Sequence, residues 1–420
     1  MLLRIRQELA SFTASERLFV FFAMLTGFSI SAEYGITRPA SNSLFLTLFS
    51  SQAFPWIWLA TVPLNLLVIT AYNYLLPRIG PWKTLCAVAC TVICINSATG
   101  LLLPYFPALI CIQFAWKDIY VLLMFKQLWS LIHSTISATR AKYLYGAIFG
   151  MGTIGSIFGA LIPGFFAAQI GSEQIFFFTA PLYTLLLFAY RKAYQHSAMK
   201  AATFPQTPDS PSRPSEGFFL VFRSPFLISV LILVVLMQAS VALMEFQFNV
   251  HLEQNILDRD LRTEYMGRMI SAMNLLSGLF QWFGSFLMVH ALGVRGSHLA
   301  IPLLLLANTF GMIAFPSFAI LSFTYVFIKA VDFSLFGIVR EMLYIPLELD
   351  EKFRAKAVID VFAYRSSKAL VSLCILGLQL FAGTHLLSWI SSASVAILLF
   401  WLGVVWFLLR RHYPKKAVLR

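Results

Sequence analysis

The chain has 420 residues, of which 59% are hydrophobic and 12% charged, and 31 lysines and arginines against 18 aspartates and glutamates leave a formal charge of +13. Soluble domains are about a quarter charged, so this composition excludes a disordered chain, a disulfide-stapled secreted scaffold and a soluble enzyme of ordinary composition. What remains is a polytopic membrane protein. At about 20 apolar residues per crossing, the hydrophobic residues suffice for roughly twelve helices.

Long apolar runs predict an all-α polytopic membrane protein with two sets of spanning helices. The first set lies near residues 18–37, 53–76, 84–103, 105–132, 145–169 and 174–192. The second set lies near residues 225–249, 266–291, 298–315, 317–338, 366–388 and 390–410. A polar stretch rich in Pro, Ser and Thr separates the sets. The predicted organisation is an N-terminal six-helix half at 1–193, a cytoplasmic linker at 194–223 and a C-terminal six-helix half at 224–420.

Lysines and arginines mark alternate connections, and the positive-inside rule then places both termini in the cytoplasm. The connections at 103–107, 167–174 and 382–387 contain neither residue. One connection is discordant. It follows the seventh span and contains Arg259, Arg262 and Arg268 together with Glu253, Asp258, Asp260 and Glu264. The basic start and the small residues near Ser29 resemble a secretory signal, but cleavage would put the basic C-terminus on the wrong side, so we expect a retained first helix.

Ionisable side chains inside predicted spans are candidates for a transport pathway, because such groups are costly in lipid unless they face protein or water. They are Glu33, Arg38, Lys117, Asp118, Lys126, Glu245, Lys329 and Asp332. Arg38 and Lys126 could alternatively snorkel to an interface. Lys117 could pair with a neighbouring helix, since adjacent residues such as Lys117 and Asp118 point about 100° apart and pair poorly. Glu245 lies 19 positions after Phe226 in an apolar run, so we predict that it lines a cavity.

Several familiar motifs are absent or out of context. Gly150-x-Gly152-x-x-Gly155 matches a dinucleotide fingerprint without the required preceding strand, and with Gly146, Gly159 and Gly164 it instead predicts a ridge of small residues where helices approach closely. Three regularly spaced cysteines lack His or carboxylate partners, so no metal or cofactor is expected. No GxxxxGK[ST], HExxH or GxSxG motif occurs, which argues against an enzyme. No basic arm indicates nucleic-acid binding.

Two six-helix halves joined by a polar linker are typical of the major facilitator superfamily, whose halves move about a midplane site. Arg78-x-Gly80-x-x-Lys83 resembles the short basic turn that this superfamily has between its second and third helices. Pro77 stands where an Asp is expected in that turn. The match is therefore partial.

A longer segment resembles one family within that fold. Residues 334–368, SLFGIVREMLYIPLELDEKFRAKAVIDVFAYRSSK, are similar to the ATP/ADP translocases, the nucleotide transport proteins of plastids and obligate intracellular bacteria. The matching residues are Arg340, Glu341, Tyr344, Pro346, Lys356, Asp360, Arg365 and Lys368. Further similarity occurs at 127–130, at AKYLYG from Ala141 and at 242–245. The resemblance implies exchange of ATP, ADP or another nucleotide across the bacterial inner membrane, driven by substrate gradients.

The chain departs from the family pattern at three positions. Ser41 stands where the family has a lysine in its first helix, and Asn249 replaces a lysine that usually follows the position of Glu245. Near Lys117 the family has a glutamate, so the charge there is reversed. These differences are consistent with a different anion or a moved binding site.

We therefore predict a substrate site formed by Arg38, Lys117, Asp118, Glu245, Lys329 and Lys368. The cations would contact phosphates, and Glu245 would act in gating or coupling. The expected partners are a nucleotide or other small anionic solute and the lipid bilayer, with a monomeric protein. Two alternatives stay open: a proton-coupled carrier of another solute in which Glu245 or Asp332 takes the proton, and a non-transporting membrane protein with a degenerate carrier fold.

Overall fold

The computed structural model describes residues 12–136, 138–197, 214–344, 358–359 and 363–412. The described part consists of helices and short connections and contains no strand. Most of the predicted linker, residues 198–213, lies outside it, as do the family-motif residues Pro346, Lys356 and Asp360 and the side chain of Arg365.

The helices follow the predicted spans closely. We number them α1 (Ala14–Phe49), α2 (Phe54–Leu102), α3 (Leu109–Thr135), α4 (Ala138–Ile170), α5 (Thr179–Gln195), α6 (Pro214–Arg223), α7 (Pro225–Asn255), α8 (Arg259–Leu279), α9 (Ser285–Ala314), α10 (Phe318–Val331), α11 (Gly337–Leu343), α12 (Tyr364–Phe381) and α13 (Leu386–Phe407). Short π-helical segments at 280–284 and 332–336 join α8 to α9 and α10 to α11. Helices dominate because lipid offers no hydrogen-bond partners to an open backbone.

Seven described segments are long and apolar enough to cross a membrane. Two of them, Ser51–Leu102 and Arg259–Ala314, contain 52 and 56 residues, and each therefore has the length of two crossings. Each is broken at a glycine in the left-handed region, Gly80 at φ +80° and Gly293 at φ +66°, a conformation that favours glycine. The count of twelve spans and the cytoplasmic termini remain predictions.

The first helix is longer than the sequence predicts. It begins with a capping box in which the Glu16 amide donates to Thr13 Oγ1 (3.2 Å) and the Thr13 amide donates to Glu16 Oε2 (2.8 Å). It continues through Pro39 to Phe49, whereas the prediction ended it near residue 37. The stretch from Gly35 to Leu46 is fully buried, so neighbouring helices support the turn where Pro39 lacks its amide hydrogen.

The chain divides into two compact units. Unit 1 comprises Met1–Ser50, Pro63–Thr207 and Ile256–Leu275, and unit 2 comprises Ser51–Val62, Pro208–Asn255 and Leu276–Arg420. In unit 1, α1 packs against α3, α4 and α5. In unit 2, α7 packs against α10, α12 and α13.

The predicted glycine ridge forms the contact between α1 and α4. A Cβ atom on Gly155 would meet the backbone of Phe28, and one on Gly159 would lie 2.7 Å from Cα of Ala32. Gly164, farther along α4, faces the backbone of Gly267 and Arg268 in α8. Only glycine lets these backbones approach so closely, so the packing surface is confirmed for Gly155, Gly159 and Gly164, whereas Gly146 has no atom of the described residues within 4 Å of its Cβ position and lies outside it.

Charged residues of the discordant connection after the seventh predicted span form ion pairs and hydrogen bonds within unit 1. Arg259 Nη1 lies 2.7 Å from Glu173 Oε1, and Arg268 Nη2 lies 2.7 Å from Glu264 Oε2. Asp260 Oδ1 accepts a hydrogen bond from the Ser172 amide at 2.8 Å. Arg259 and Arg268 are therefore paired with acids, whereas Arg262 donates to the Ile256 carbonyl at 2.9 Å and to Thr47 Oγ1 at 3.2 Å.

Candidate functional site

Three predicted site residues meet in unit 2. Glu245 projects from α7, Lys329 from α10 and Lys368 from α12. Lys329 Nζ lies 2.8 Å from Glu245 Oε2, and Lys368 Nζ lies 3.6 Å from the same oxygen. The Glu245 and Lys329 side chains are each 8% exposed, and that of Lys368 is 33% exposed. We call these three residues the lysine–glutamate cluster.

Aromatic rings hold both lysines in place. Lys368 Nζ lies 4.3 Å from the ring centroid of Trp58, which belongs to the part of α2 within unit 2. Lys329 Nζ lies 5.8 Å from the ring of Tyr325, and that ring stacks on Phe248 with centroids 4.2 Å apart. Ring faces attract ammonium groups most strongly where water is excluded. The rings therefore fix the two cations without neutralising them.

The charges of the cluster do not balance, since two ammonium groups share one carboxylate. The nearby Asp332 carboxylate accepts a hydrogen bond from Gln238 Nε2 at 2.9 Å and interacts electrostatically with Lys329, but within the described residues it forms no ion pair with either lysine. A buried excess cation favours an anion with several oxygens, which can accept from both lysines at once.

The polar face of α7 extends beyond Glu245. Gln238, Glu245 and Asn249 lie on one side of the helix by their spacing. Gln247 Oε1 accepts from Ser391 Oγ at 2.9 Å. Both amide atoms of Asn249 are buried and have no hydrogen-bond partner within the described residues.

The positions where the family resemblance expects lysines share one property. Ser41 Oγ in unit 1 and the Asn249 amide in unit 2 are both buried and both lack partners among the residues the structure describes. Unsatisfied buried polar groups are uncommon in folded proteins. These two side chains are therefore available to bind another polar group.

The other three predicted residues meet in unit 1. Lys117 Nζ lies 3.5 Å from Asp118 Oδ2, and Tyr34 Oη donates to Asp118 Oδ1 at 2.8 Å. Arg38 Cζ lies 5.9 Å from the centroid of the Tyr34 ring. Lys117 also donates to the Phe114 carbonyl at 3.3 Å. We call Arg38, Lys117, Asp118 and Tyr34 the unit 1 cluster.

One expectation about this cluster was wrong, and one open alternative is not supported. Lys117 and Asp118 do contact each other, because the long lysine stem brings its ammonium group back over the adjacent carboxylate. Arg38 lies well inside α1 and is 8% exposed, so it does not snorkel from a helix end. Lys126 does reach a polar neighbour, since its Nζ donates to Asn73 Oδ1 at 2.9 Å.

The sequence did not point to Trp58 or Tyr34. Trp58 comes from a segment far from Lys368 in the chain, and no local pattern marks it. Tyr34 stands beside Glu33 and four residues before Arg38, so its helical spacing could have indicated the contact with Arg38.

Comparisons with known proteins agree with this architecture. A family model described as TLC ATP/ADP transporter matches residues 195–413, which is more than half of the chain. The chain belongs to the TLC ATP/ADP transporter family. The match includes the whole lysine–glutamate cluster, whereas Trp58 lies outside the matched residues. The family is one of transporters, which agrees with the expectation that the chain is not an enzyme.

Curated relatives of this TLC chain include ADP,ATP carrier protein 1 of Chlamydia trachomatis serovar D and ADP,ATP carrier protein 1 of Chlamydia muridarum. Each is 24% identical over 209 residues. The match covers 44% of this chain and 40% of each relative's length.

Solved structures with the same fold include a point mutant of the nucleoside transporter NupG, at a TM-score of 0.68 and 11% identity. That comparison covers 92% of this chain and 99% of NupG. The POT family transporter PepTSo gives a TM-score of 0.64 at 9% identity over 94% of this chain and 99% of its own. These likenesses establish a major facilitator-like fold for the TLC chain.

Proposed function

We propose that this protein exchanges nucleotides of the ATP/ADP type across the bacterial inner membrane by alternating access. One observation carries the proposal. Lys329 and Lys368 converge on a single oxygen of Glu245 inside unit 2, which leaves a buried excess positive charge suited to a phosphate group. Membership in the TLC ATP/ADP transporter family and the chlamydial ADP,ATP carriers among the relatives support the same substrate class.

The roles within the cluster follow from its geometry. A phosphate bound by Lys329 and Lys368 would replace Glu245 as their counter-ion, because each phosphate oxygen accepts hydrogen bonds as the carboxylate does. Glu245 would then be released from the lysines when substrate binds and recaptured when it leaves. Arg38 and Lys117 of unit 1 are proposed as further anion contacts.

Exchange needs no hydrolysis in this scheme. Substrate moves down its own gradient in one direction as another nucleotide moves in the other, so the absence of a Walker motif from the sequence is expected. The Glu245 carboxylate balances one of the two lysine charges whenever the site is empty. A buried ammonium group without an anion is costly, so substrate binding and Glu245 pairing alternate.

The experiment is a stabilisation screen of the purified full-length protein. A ligand that binds only the folded state raises the melting temperature by mass action. We expect ATP and ADP to raise it more than AMP, and adenosine to have the smallest effect, because each phosphate adds contacts to the lysines. Absence of stabilisation by any nucleotide would overturn the proposal. Stabilisation by adenosine equal to that by ATP would instead favour a nucleoside carrier, the activity named for the structural relative NupG.

A further inference from the structure

A second carboxylate lies deep in unit 1 without a cation. Glu33, in the middle of α1, is 1% exposed. Within the described part of the chain it forms no ion pair, whereas Glu245 of unit 2 contacts two lysines. An ionised carboxylate in such surroundings is costly unless it is paired. The hydrogen-bond partners of Glu33 therefore determine whether its carboxyl group is ionised or protonated.

The hydrogen bonds to Glu33 fall on one oxygen. Oε1 accepts from Thr37 Oγ1 at 2.7 Å, from Tyr120 Oη at 2.8 Å and from Asn96 Nδ2 at 3.4 Å. Oε2 is buried and has no partner in the described structure. An ionised carboxylate spreads its charge over both oxygens, and the unpartnered one would be left charged, buried and without a hydrogen-bond donor. A carboxylic acid has this asymmetry by nature, with a carbonyl oxygen that accepts and a second oxygen that bears the hydrogen.

The surroundings of Glu33 are polar and uncharged. Tyr120 comes from α3, Tyr183 from α5 and Tyr34 from the adjacent position of α1. From α2, Asn96 also donates to Thr179 Oγ1 at 3.0 Å and accepts from Gln113 Nε2 at 2.8 Å.

The remaining neighbours of α1 add no charge at Glu33. The facing surface of α4 is formed by Gly155 and Gly159 against Phe28 and Ala32. Of the lysines and acids of α3, Lys117 and Asp118 contact each other and Lys126 donates to Asn73 in α2. All of these groups are compatible with a neutral acid at position 33.

Glu33 is connected to the unit 1 cluster through neighbouring residues. Glu33 accepts from Tyr120 while Tyr34 donates to Asp118, so two adjacent residues of α1 are bonded to two nearby residues of α3. Glu33 and the Lys117–Asp118 pair are therefore joined through adjacent residues of α1.

We propose that Glu33 is a proton-binding site whose protonation is linked to anion binding at the unit 1 cluster. The proton adds to Oε2 and converts the carboxylate to a carboxylic acid, and no other bond changes. An anion bound near Arg38 and Lys117 favours the neutral form of Glu33 through electrostatic repulsion. By reciprocity, the proton tightens anion binding. This linkage rests on the proposed nucleotide function, whereas the protonated state of Glu33 does not.

Infrared spectroscopy tests the protonated state directly in purified full-length protein near pH 7. The C=O stretching band of a carboxylic acid is expected in the wild type and should disappear in Glu33→Gln. Glu245→Gln removes an equally buried glutamate that is paired with lysines and should leave that band unchanged. Tyr120→Phe removes a hydrogen bond to Oε1 and should shift the band to higher wavenumber, which keeps the test available if Glu33→Gln does not fold. A carboxylic acid band that neither Glu33→Gln nor Tyr120→Phe changes would overturn the proposal.

ATP-induced stabilisation at pH 6 and pH 8 tests the linkage. The terminal phosphate of ATP also titrates in this interval, so Glu33→Gln supplies the reference. We expect the ratio of ATP affinities at pH 6 and pH 8 to be at least about fivefold larger in the wild type than in Glu33→Gln, the lower end of common coupling factors. If the two proteins show the same ratio, the linkage is wrong even though the nucleotide function stands. If no nucleotide binds, the proposed function fails, and the infrared result still decides whether Glu33 holds a proton.

Discussion

Lys329 lies 2.8 Å from Glu245 across the interior of unit 2, and both side chains are more than nine-tenths buried. A second cation, Lys368, lies 3.6 Å from the same carboxylate oxygen. A buried pair of this kind contributes modestly to stability but is costly to break on one side only. The carboxylate therefore keeps two lysines in a site that lipid would otherwise exclude.

Replacement of Glu245 by glutamine should destabilise the protein. Two ammonium groups would lose their shared counter-ion, and the loss of one partner of a buried pair costs about 3–5 kcal/mol. The melting temperature in detergent should fall, and millimolar phosphate or ATP should restore part of the loss. Glu253→Gln on the same helix is the control, because glutamine can still accept from the Ser51 amide that Glu253 binds at 2.9 Å. Equal melting temperatures for the two variants would contradict the role of Glu245.

Replacement of Lys368 by methionine should weaken nucleotide binding with little loss of stability. Lys368 is the most exposed member of its cluster, at 33%, and methionine fills the space of the lysine stem beside Trp58. Loss of one charged contact to phosphate corresponds to about a tenfold change in affinity, near 1.4 kcal/mol. The ATP affinity is measured by following the melting temperature as ATP is added. Lys126→Met, which removes a lysine bonded to Asn73 in unit 1, should leave ATP affinity unchanged, and an equal loss in both variants would count against a specific site.

Replacement of Asn249 by lysine should increase the discrimination between ATP and adenosine. The new cation lies one helical turn from Glu245, where both amide atoms of Asn249 lack partners among the described residues. Without ligand the variant should melt at a lower temperature, because another buried cation is unpaired. ATP should raise the melting temperature of the variant more than that of the wild type, and this rise should decrease with added salt. Asn249→Met, which adds length without charge, should show no salt-dependent gain, and the same gain in both variants would refute this interpretation.

The glycines of α4 predict a stability difference between two single-methyl changes. Gly159→Ala would place a Cβ against the backbone of Ala32 and should cost about 1–3 kcal/mol through overpacking. Gly146→Ala has nothing within 4 Å of the new methyl group and should be neutral or stabilising, since alanine favours helix more than glycine does. Thermal unfolding of both variants is the measurement, and a stable Gly159→Ala protein would show that α1 and α4 can separate without loss.

Much of the fold was predictable because membrane-spanning helices require long apolar runs, which are visible in the sequence. Apolar runs located most helix centres, and the spacing of Gly155 and Gly159 predicted a close helix contact that the structure contains. The first helix was the exception. A proline after Arg38 suggested an end, but packing in unit 1 maintains the helix to Phe49, and sequence alone does not reveal such support.

The candidate site was predictable in its residue types and not in its pairings. Buried charges such as Glu245 and Lys329 stand out in an apolar segment, yet their contact depends on how α7 and α10 pack. The Trp58 contact with Lys368 joins positions far apart in the chain and leaves no local pattern. Glu33 was identified as an ionisable residue in a span, but only the structure shows that its neighbours among the described residues are tyrosine and amide side chains and not a cation.

Nucleotide exchange in proteoliposomes tests the central claim most directly. Purified protein is reconstituted into vesicles that contain unlabelled ADP or no nucleotide, and entry of labelled ATP is measured. The account predicts uptake only into the loaded vesicles, with reduced uptake for Lys117→Ala and for Lys329→Met. Absence of uptake of any nucleotide by folded, reconstituted protein, or equal uptake into empty and loaded vesicles, would contradict it.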